Sequence, residues 1–128
     1  MITNIDVSSV LRGDSFAIEK LSQIKGIANI GDYKKYKTQD HNFKTYKQRC
    51  LFTGFFSPPQ SHYKNLLQHL LLLKSRRDSF VNLGVEDIIV NCTIFCDDNL
   101  GTEFSLQELT LLSDVGAALS LDVVIEKN

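Results

Sequence analysis

The side chains best suited to chemistry in this 128-residue chain are Cys50, Cys92, Cys96, His41, His62 and His69. Their spacing does not assemble a metal centre. On a strand, Cys92 and Cys96 would face the same way but lie roughly 13 Å apart, too far to share one zinc ion. On a helix, His62 and His69 would be two turns apart, about 10 Å. The expectation is no metal and no cofactor, with the thiols packed as small apolar groups and the histidines at the surface. Cys50 follows Lys47, Gln48 and Arg49, a setting that depresses a thiol pKa if it is exposed. No motif places His41 beside it as a base. The glycine patterns G-x-G-x-x-G, G-x-x-x-x-G-K and G-x-S-x-G do not occur. Asp97-Asp98-Asn99 with Glu103 lacks the alternating ligands of an EF-hand and reads as a solvated turn. No catalytic residue is assigned, and the expectation is a protein that is not an enzyme.

Charge carries more information than any of these. Residues 1–77 hold 13 Lys and Arg against 5 Asp and Glu, whereas residues 78–128 hold 1 against 10, so a formal net charge of −1 conceals a strong asymmetry. Such blocks point to charged partners or to a lopsided surface field. In the basic part, Tyr33 to Lys37 and Phe43 to Arg49 interleave cations with aromatic rings. On paired strands, Lys34, Lys35, Lys37, Tyr46, Lys47 and Arg49 would make a phosphate-tracking surface with a ring for stacking. The bland alternative is a lysine-decorated edge strand. In the acidic part, Glu86, Asp87, Asp97, Asp98 and Glu103 flank an apolar run at both ends. If they share a surface, they suit an electropositive protein partner, with Phe95 and Leu72 as apolar anchors.

The elements that position these residues follow from periodicity. Ile5, Val7 and Val10 mark a strand over about 4–11. Asp14 or Ser15 caps a helix carrying Ala17, Leu21 and Ile24, which Gly26 ends. Two strands follow, over 27–36 and 43–56, joined by a polar turn around Asp40-His41-Asn42. Pro58-Pro59 stops the second and starts a helix over about 60–77, with Tyr63, Leu66, Leu67, Leu70 and Leu73 on one side. Ile88 to Cys96 reads as a central strand, and Ser105-Leu106-Gln107-Glu108 as a capping box. Leu119, Leu121, Val123 and Ile125 alternate with polar residues as a half-buried last strand. The fold class is α+β: a single domain over 1–128, with a mostly antiparallel or mixed sheet of about five strands and about three helices, in the order β-α-β-β-α-β-α-β. The first six elements have the order of a split β-α-β unit. The N-terminus has no signal-peptide pattern, and no apolar run reaches the length of a membrane helix, so the expected location is cytoplasmic, without membrane contact. Three cysteines, an odd number, fit free thiols in a reducing compartment.

Arg12-Gly13-Asp14-Ser15-Phe16 with Ile18, Leu21 and Gly26-Ile27, then Thr53-Gly54-Phe55, then Leu109, Leu112, Val115-Gly116-Ala117, Leu119 and Leu121-Asp122-Val123-Val124 form a pattern. It resembles a family of small bacterial domains of unknown function that open with a G-[DE]-x-F turn and close on a leucine-rich helix, a glycine and a strand. Ala28-Asn29 stands where that family often has a proline, and the chain has no tryptophan. The resemblance supplies no catalytic residues. Small, motif-poor α+β domains of this kind also look like the immunity proteins of bacterial toxin systems, including contact-dependent growth inhibition. That likeness implies an inhibitor that binds a cognate toxin domain, such as a nuclease. The alternative is a small nucleic-acid-binding module built on the basic segment 33–49.

Overall fold

The computed structural model describes residues 2–31, 34–37, 43–53, 62–97 and 103–126. These residues form an α+β fold with a mixed sheet and three helices. In chain order the elements are β1 (Ile2–Gly13), α1 (Ile18–Leu21), β2 (Ile27–Gly31), β3 (Lys34–Lys37), β4 (Phe43–Tyr46), β5 (Gln48–Phe52), α2 (His62–Asn82), β6 (Asp87–Cys96), α3 (Leu106–Val115) and β7 (Ala118–Ile125). The main sheet has the order β2-β5-β1-β6-β7, while β3 and β4 pair as a separate ribbon. Neighbours are antiparallel except β6 and β7, which run parallel on either side of α3.

The expected order needs correction in the middle of the chain, where each of the two anticipated strands is divided. The break between β4 and β5 falls at Lys47, whose N–H donates to Asp14 Oδ1 (3.0 Å). The same aspartate explains why α1 is a single turn. Asp14 does not cap it; residue 17, an alanine without a side-chain cap, precedes the helix. Around Asp14 the chain is tied down on several sides. The Asp14 N–H donates to Glu86 Oε2 (2.7 Å), the Phe16 N–H to Gln48 Oε1 (2.6 Å) and the Ala17 N–H to the Leu83 carbonyl (2.8 Å). Gly13 and Gly84 touch here, and a Cβ on either would strike backbone of the other turn. The anticipated turn at 38–42, Pro58-Pro59 and the turn after Asp97 lie outside the described residues.

The core fills one face of the main sheet. Leu11 of β1, Cys50 and Phe52 of β5, and Ile88 and Val90 of β6 meet Leu21 of α1, Leu66, Leu70, Leu73 and Phe80 of α2, and Leu111, Leu112 and Val115 of α3. The α2 helix runs five residues past its expected end because the apolar stripe continues through Phe80, across Arg76-Arg77-Asp78. It then stops at Gly84, whose φ of +107° suits glycine. The α3 helix has the anticipated capping box: Ser105 Oγ accepts from the Glu108 N–H (3.1 Å), and the Ser105 N–H donates to Glu108 Oε1 (2.8 Å). Gly116 closes it at φ +71°.

The last strand departs from its expected half-burial. Leu119 packs against the core, but Leu121, Val123 and Ile125 are exposed. The alternation was real, but β7 is the outermost strand of the sheet. The buried residues of α3 lie in its C-terminal half, over the start of β7, and leave the strand's second half uncovered.

Candidate functional site

The thiols and His69 sit inside the protein rather than at a reactive surface. Burial pushes Cys50 up to about 12 and, together with the negative charge of Glu108, pushes Cys92 up to about 11. Neither is a thiolate near neutral pH, so the basic neighbours of Cys50 do not activate it. His69, expected at the surface, is buried on the core side of α2. Its Nε2 lies 2.6 Å from Ser9 Oγ, and its ring packs 5.6 Å from that of Phe52. Burial lowers its pKa to about 4, against an opposing backbone hydrogen bond with Thr53. A serine next to an imidazole is the geometry of a nucleophile and its base. Here both side chains are fully enclosed between helix and sheet, so the pair fastens α2 to β1. The sequence offered a signal for it: Ser9 interrupts the apolar series Val7, Leu11 on β1, and His69 adjoins the leucine stripe of α2.

A second enclosed pair lies on the other face of the sheet. Arg12 and Asp87 are register partners across β1 and β6. Both are buried, and the Arg12 Nε donates to Asp87 Oδ2 (2.6 Å) with a second contact from Nη2. The guanidinium also lies over the Tyr46 ring, 5.3 Å from its centroid. This corrects two expectations. Asp87 is not available to a partner, because its charge is spent on Arg12. Tyr46 is buried under Arg12 and is not a ring on which a base can stack. Of the remaining basic candidates, Lys34 pairs with Tyr46 and Lys35 with Thr45 in the β3–β4 ribbon, where Lys37 pairs with Phe43. Lys47 is exposed, and Arg49 is half-buried beside Arg12 in the main sheet.

The acidic candidates do not form one surface. Glu86 and Asp97 stand at opposite ends of β6, roughly 35 Å apart at the rise of a strand. Glu86 also holds the Asp14 N–H. Asp98 lies outside the described residues. Leu72 is half-buried against the core, whereas its neighbour Leu71 is exposed. The charge asymmetry of the sequence is partly consumed by ion pairs within the molecule, one of them buried and two at the surface. The ion pairs Arg12–Asp87, Lys74–Asp114 (3.1 Å) and Arg77–Asp78 (3.6 Å) each join a cation of the first block to an acid of the second.

What the fold does bring together is a set of acids at the far end of β6, on the sheet face opposite the helices. The register aligns Asp6, Thr93 and Asp122 in one row across β1, β6 and β7, and Asn4, Phe95 and Val124 in the next. Asp6 and Asp122 are then about 10 Å apart, two strand spacings. Asp97 and Glu126 follow the last paired residues, Cys96 and Ile125, where the Glu126 N–H donates to the Cys96 carbonyl (2.8 Å). Glu103, although exposed, does not join this set: with Glu108 it lines a hollow of about 30 Å³ on the helix side of the sheet, beside Ile5, Leu66, Cys92 and Ile94. A half-buried phenylalanine and an exposed valine are thus bracketed by Asp6, Asp122, Asp97 and Glu126. Among the described residues, the three helices bury their apolar sides on the other face of the sheet. Asp6, Asp122 and Glu126 were missed in the sequence because only the strand order places them beside Phe95 and Asp97.

Other hollows lined by described residues are small or shallow. One of about 60 Å³ lies by Arg77, Glu86, Asp87 and Gly116, and a surface dent of about 260 Å³ lies along Ala17 to Lys20. Among the described residues, no group of three or more His, Cys, Asp or Glu is placed to hold a metal ion, and no helix is long and apolar enough to cross a membrane. Compared with family models, curated proteins and solved structures, the chain matches none.

Proposed function

We propose that this protein is a binding inhibitor of the immunity type, which neutralises a cognate bacterial toxin domain in the cytoplasm by occupying an electropositive surface such as the substrate face of a nuclease. The observation that supports this reading is the Phe95–Val124 pair with acids on both sides. An interface needs a centre that gives up its water and a rim that selects the partner. Phe95 and Val124 supply the first, and Asp6, Asp97, Asp122 and Glu126 the second. The rim acids stay solvated in the free protein, so their main effect falls on the rate of encounter.

The test uses the polypeptide encoded by the neighbouring upstream reading frame. Coexpression is expected to rescue a host from its toxicity, and the two proteins are expected to form a complex whose association slows as salt rises. Asp97→Lys with Asp122→Lys should slow association about tenfold or more and flatten its salt dependence. Absence of both rescue and a complex at micromolar concentration refutes the inhibitor reading. A complex indifferent to the double substitution moves the interface away from this end of the sheet.

A further inference from the structure

Among the described residues, nine large apolar side chains are exposed, and six of them, Leu106, Leu109, Leu121, Val123, Val124 and Ile125, belong to α3 or β7. Leu121, Val123 and Ile125 share the helix-side face of β7 and are 42, 43 and 54% exposed. Leu109 extends this strip. On α3 it lies about 140° around the helix from Asp114, the residue that Lys74 of α2 holds at 3.1 Å. It therefore sits on the flank turned away from α2, toward the outer strand.

The backbone of β7 is equally open. The Glu126 N–H is directed at Cys96 of β6, and in a parallel ladder alternate residues point both backbone groups to the same side. Residues 120, 122 and 124 thus face β6, and the N–H and C=O groups of Leu119, Leu121, Val123 and Ile125 face outward. Among the described residues no strand pairs with that edge. Natural sheets protect such edges with lysine, proline or a bulge; Ala118–Ile125 has none of these, and one charge, Asp122.

We propose that the outer edge of β7 is the interface of a reversible homodimer, in which two copies of β7 pair antiparallel about a two-fold axis and join their sheets. Self-pairing fits the chemistry of this edge. The outward groups sit on odd-numbered residues, so an isologous pair must place odd residues opposite odd. A register centred on Asp122 would set two carboxylates against each other and is excluded. Centring on Val123 sets Val123 against Val123 and Leu121 against Ile125 of the second copy, on one face, with Asp122 opposite Val124. The edge is about 26 Å long and about 10 Å deep, so pairing buries on the order of 600 Å² in total. That is a small interface, and the expected dissociation constant is micromolar or weaker. The pairing leaves Phe95 and its acidic rim on the open face.

Sedimentation velocity from about 1 to 300 µM spans that range. The expected result is a shift from the monomer mass toward twice that mass across the series. Val123→Pro removes an outward N–H and no bond to β6, as edge strands accept, and should weaken self-association at least about tenfold. Val123→Lys should do the same through repulsion across the two-fold axis. Circular dichroism establishes that each variant is folded. Oxidising Val123→Cys should give a covalent dimer, since the native thiols are buried. A monomer throughout the range overturns the proposal, and so does a dimer unchanged in both the Pro and Lys variants. Neither result bears on toxin binding, which is read separately on the acidic end.

Discussion

Lowering the pH tests the enclosure of His69 directly. In the unfolded chain its imidazole titrates near 6.5, and in the folded protein near 4. Between these values the unfolded chain takes up a proton that the folded protein refuses. Stability therefore declines as pH falls below 6.5 and stops declining, for this group, below about 4. The full effect is about 3 kcal/mol, and about 2 kcal/mol is already lost at pH 5. With a urea slope of about 1.5 kcal/mol/M, the unfolding midpoint should fall by about 1.3 M between pH 7.5 and pH 5. His69→Gln keeps a hydrogen-bonding partner for Ser9 but cannot titrate. Its midpoint at pH 7.5 will be lower than that of the native protein, and over the same interval it should fall by about 1.3 M less. His41 and His62 are present in both proteins, so the difference in slope isolates His69. Equal slopes in the two proteins would refute the enclosed, neutral imidazole.

Two further substitutions probe the packing. Asp87→Ala leaves the Arg12 guanidinium buried without its carboxylate and should cost about 3–5 kcal/mol in urea unfolding. The apolar double variant Arg12→Met with Asp87→Leu should recover most of that loss, and failure to recover would mean that the ion pair does more than satisfy itself. Gly84→Ala combines a strained left-handed backbone with a clash against Ser15, and should cost at least about 2 kcal/mol, or about 7 °C in Tm. A smaller shift would mean that the turn between α2 and β6 yields easily.

The parts of the fold that were legible in the sequence are those whose signals are local. Ser105 and Glu108 satisfy each other within one helical turn, and Ile88 to Cys96 show their alternation without help from another segment. Pairings between distant segments were not legible. Ser9 meets His69 across 60 positions and Arg12 meets Asp87 across 75, and nothing near either member names its partner. Asp14 shows how a tertiary contact displaces a local preference: it resembles a helix cap, but holds Lys47 instead and shortens α1 to a turn. The candidate surface follows the same rule. Phe95 and Asp97 could be singled out as isolated residues, whereas Asp6, Asp122 and Glu126 join them only through the order of β1, β6 and β7. In the same way, the pattern of β7 reads correctly as two-faced, but exposure on its helix side is set by its place at the margin of the sheet.

The position of β1 between β5 and β6 has a consequence for how the protein is made. On the ribosome, the first 77 residues emerge carrying an excess of positive charge, and their central strand waits for a neighbour from the acid-rich remainder. Arg12 can leave water only when Asp87 arrives to receive it, after α2 has been synthesised. Docking of β6 beside β1 therefore closes the sheet and supplies the carboxylate for Arg12 in the same step.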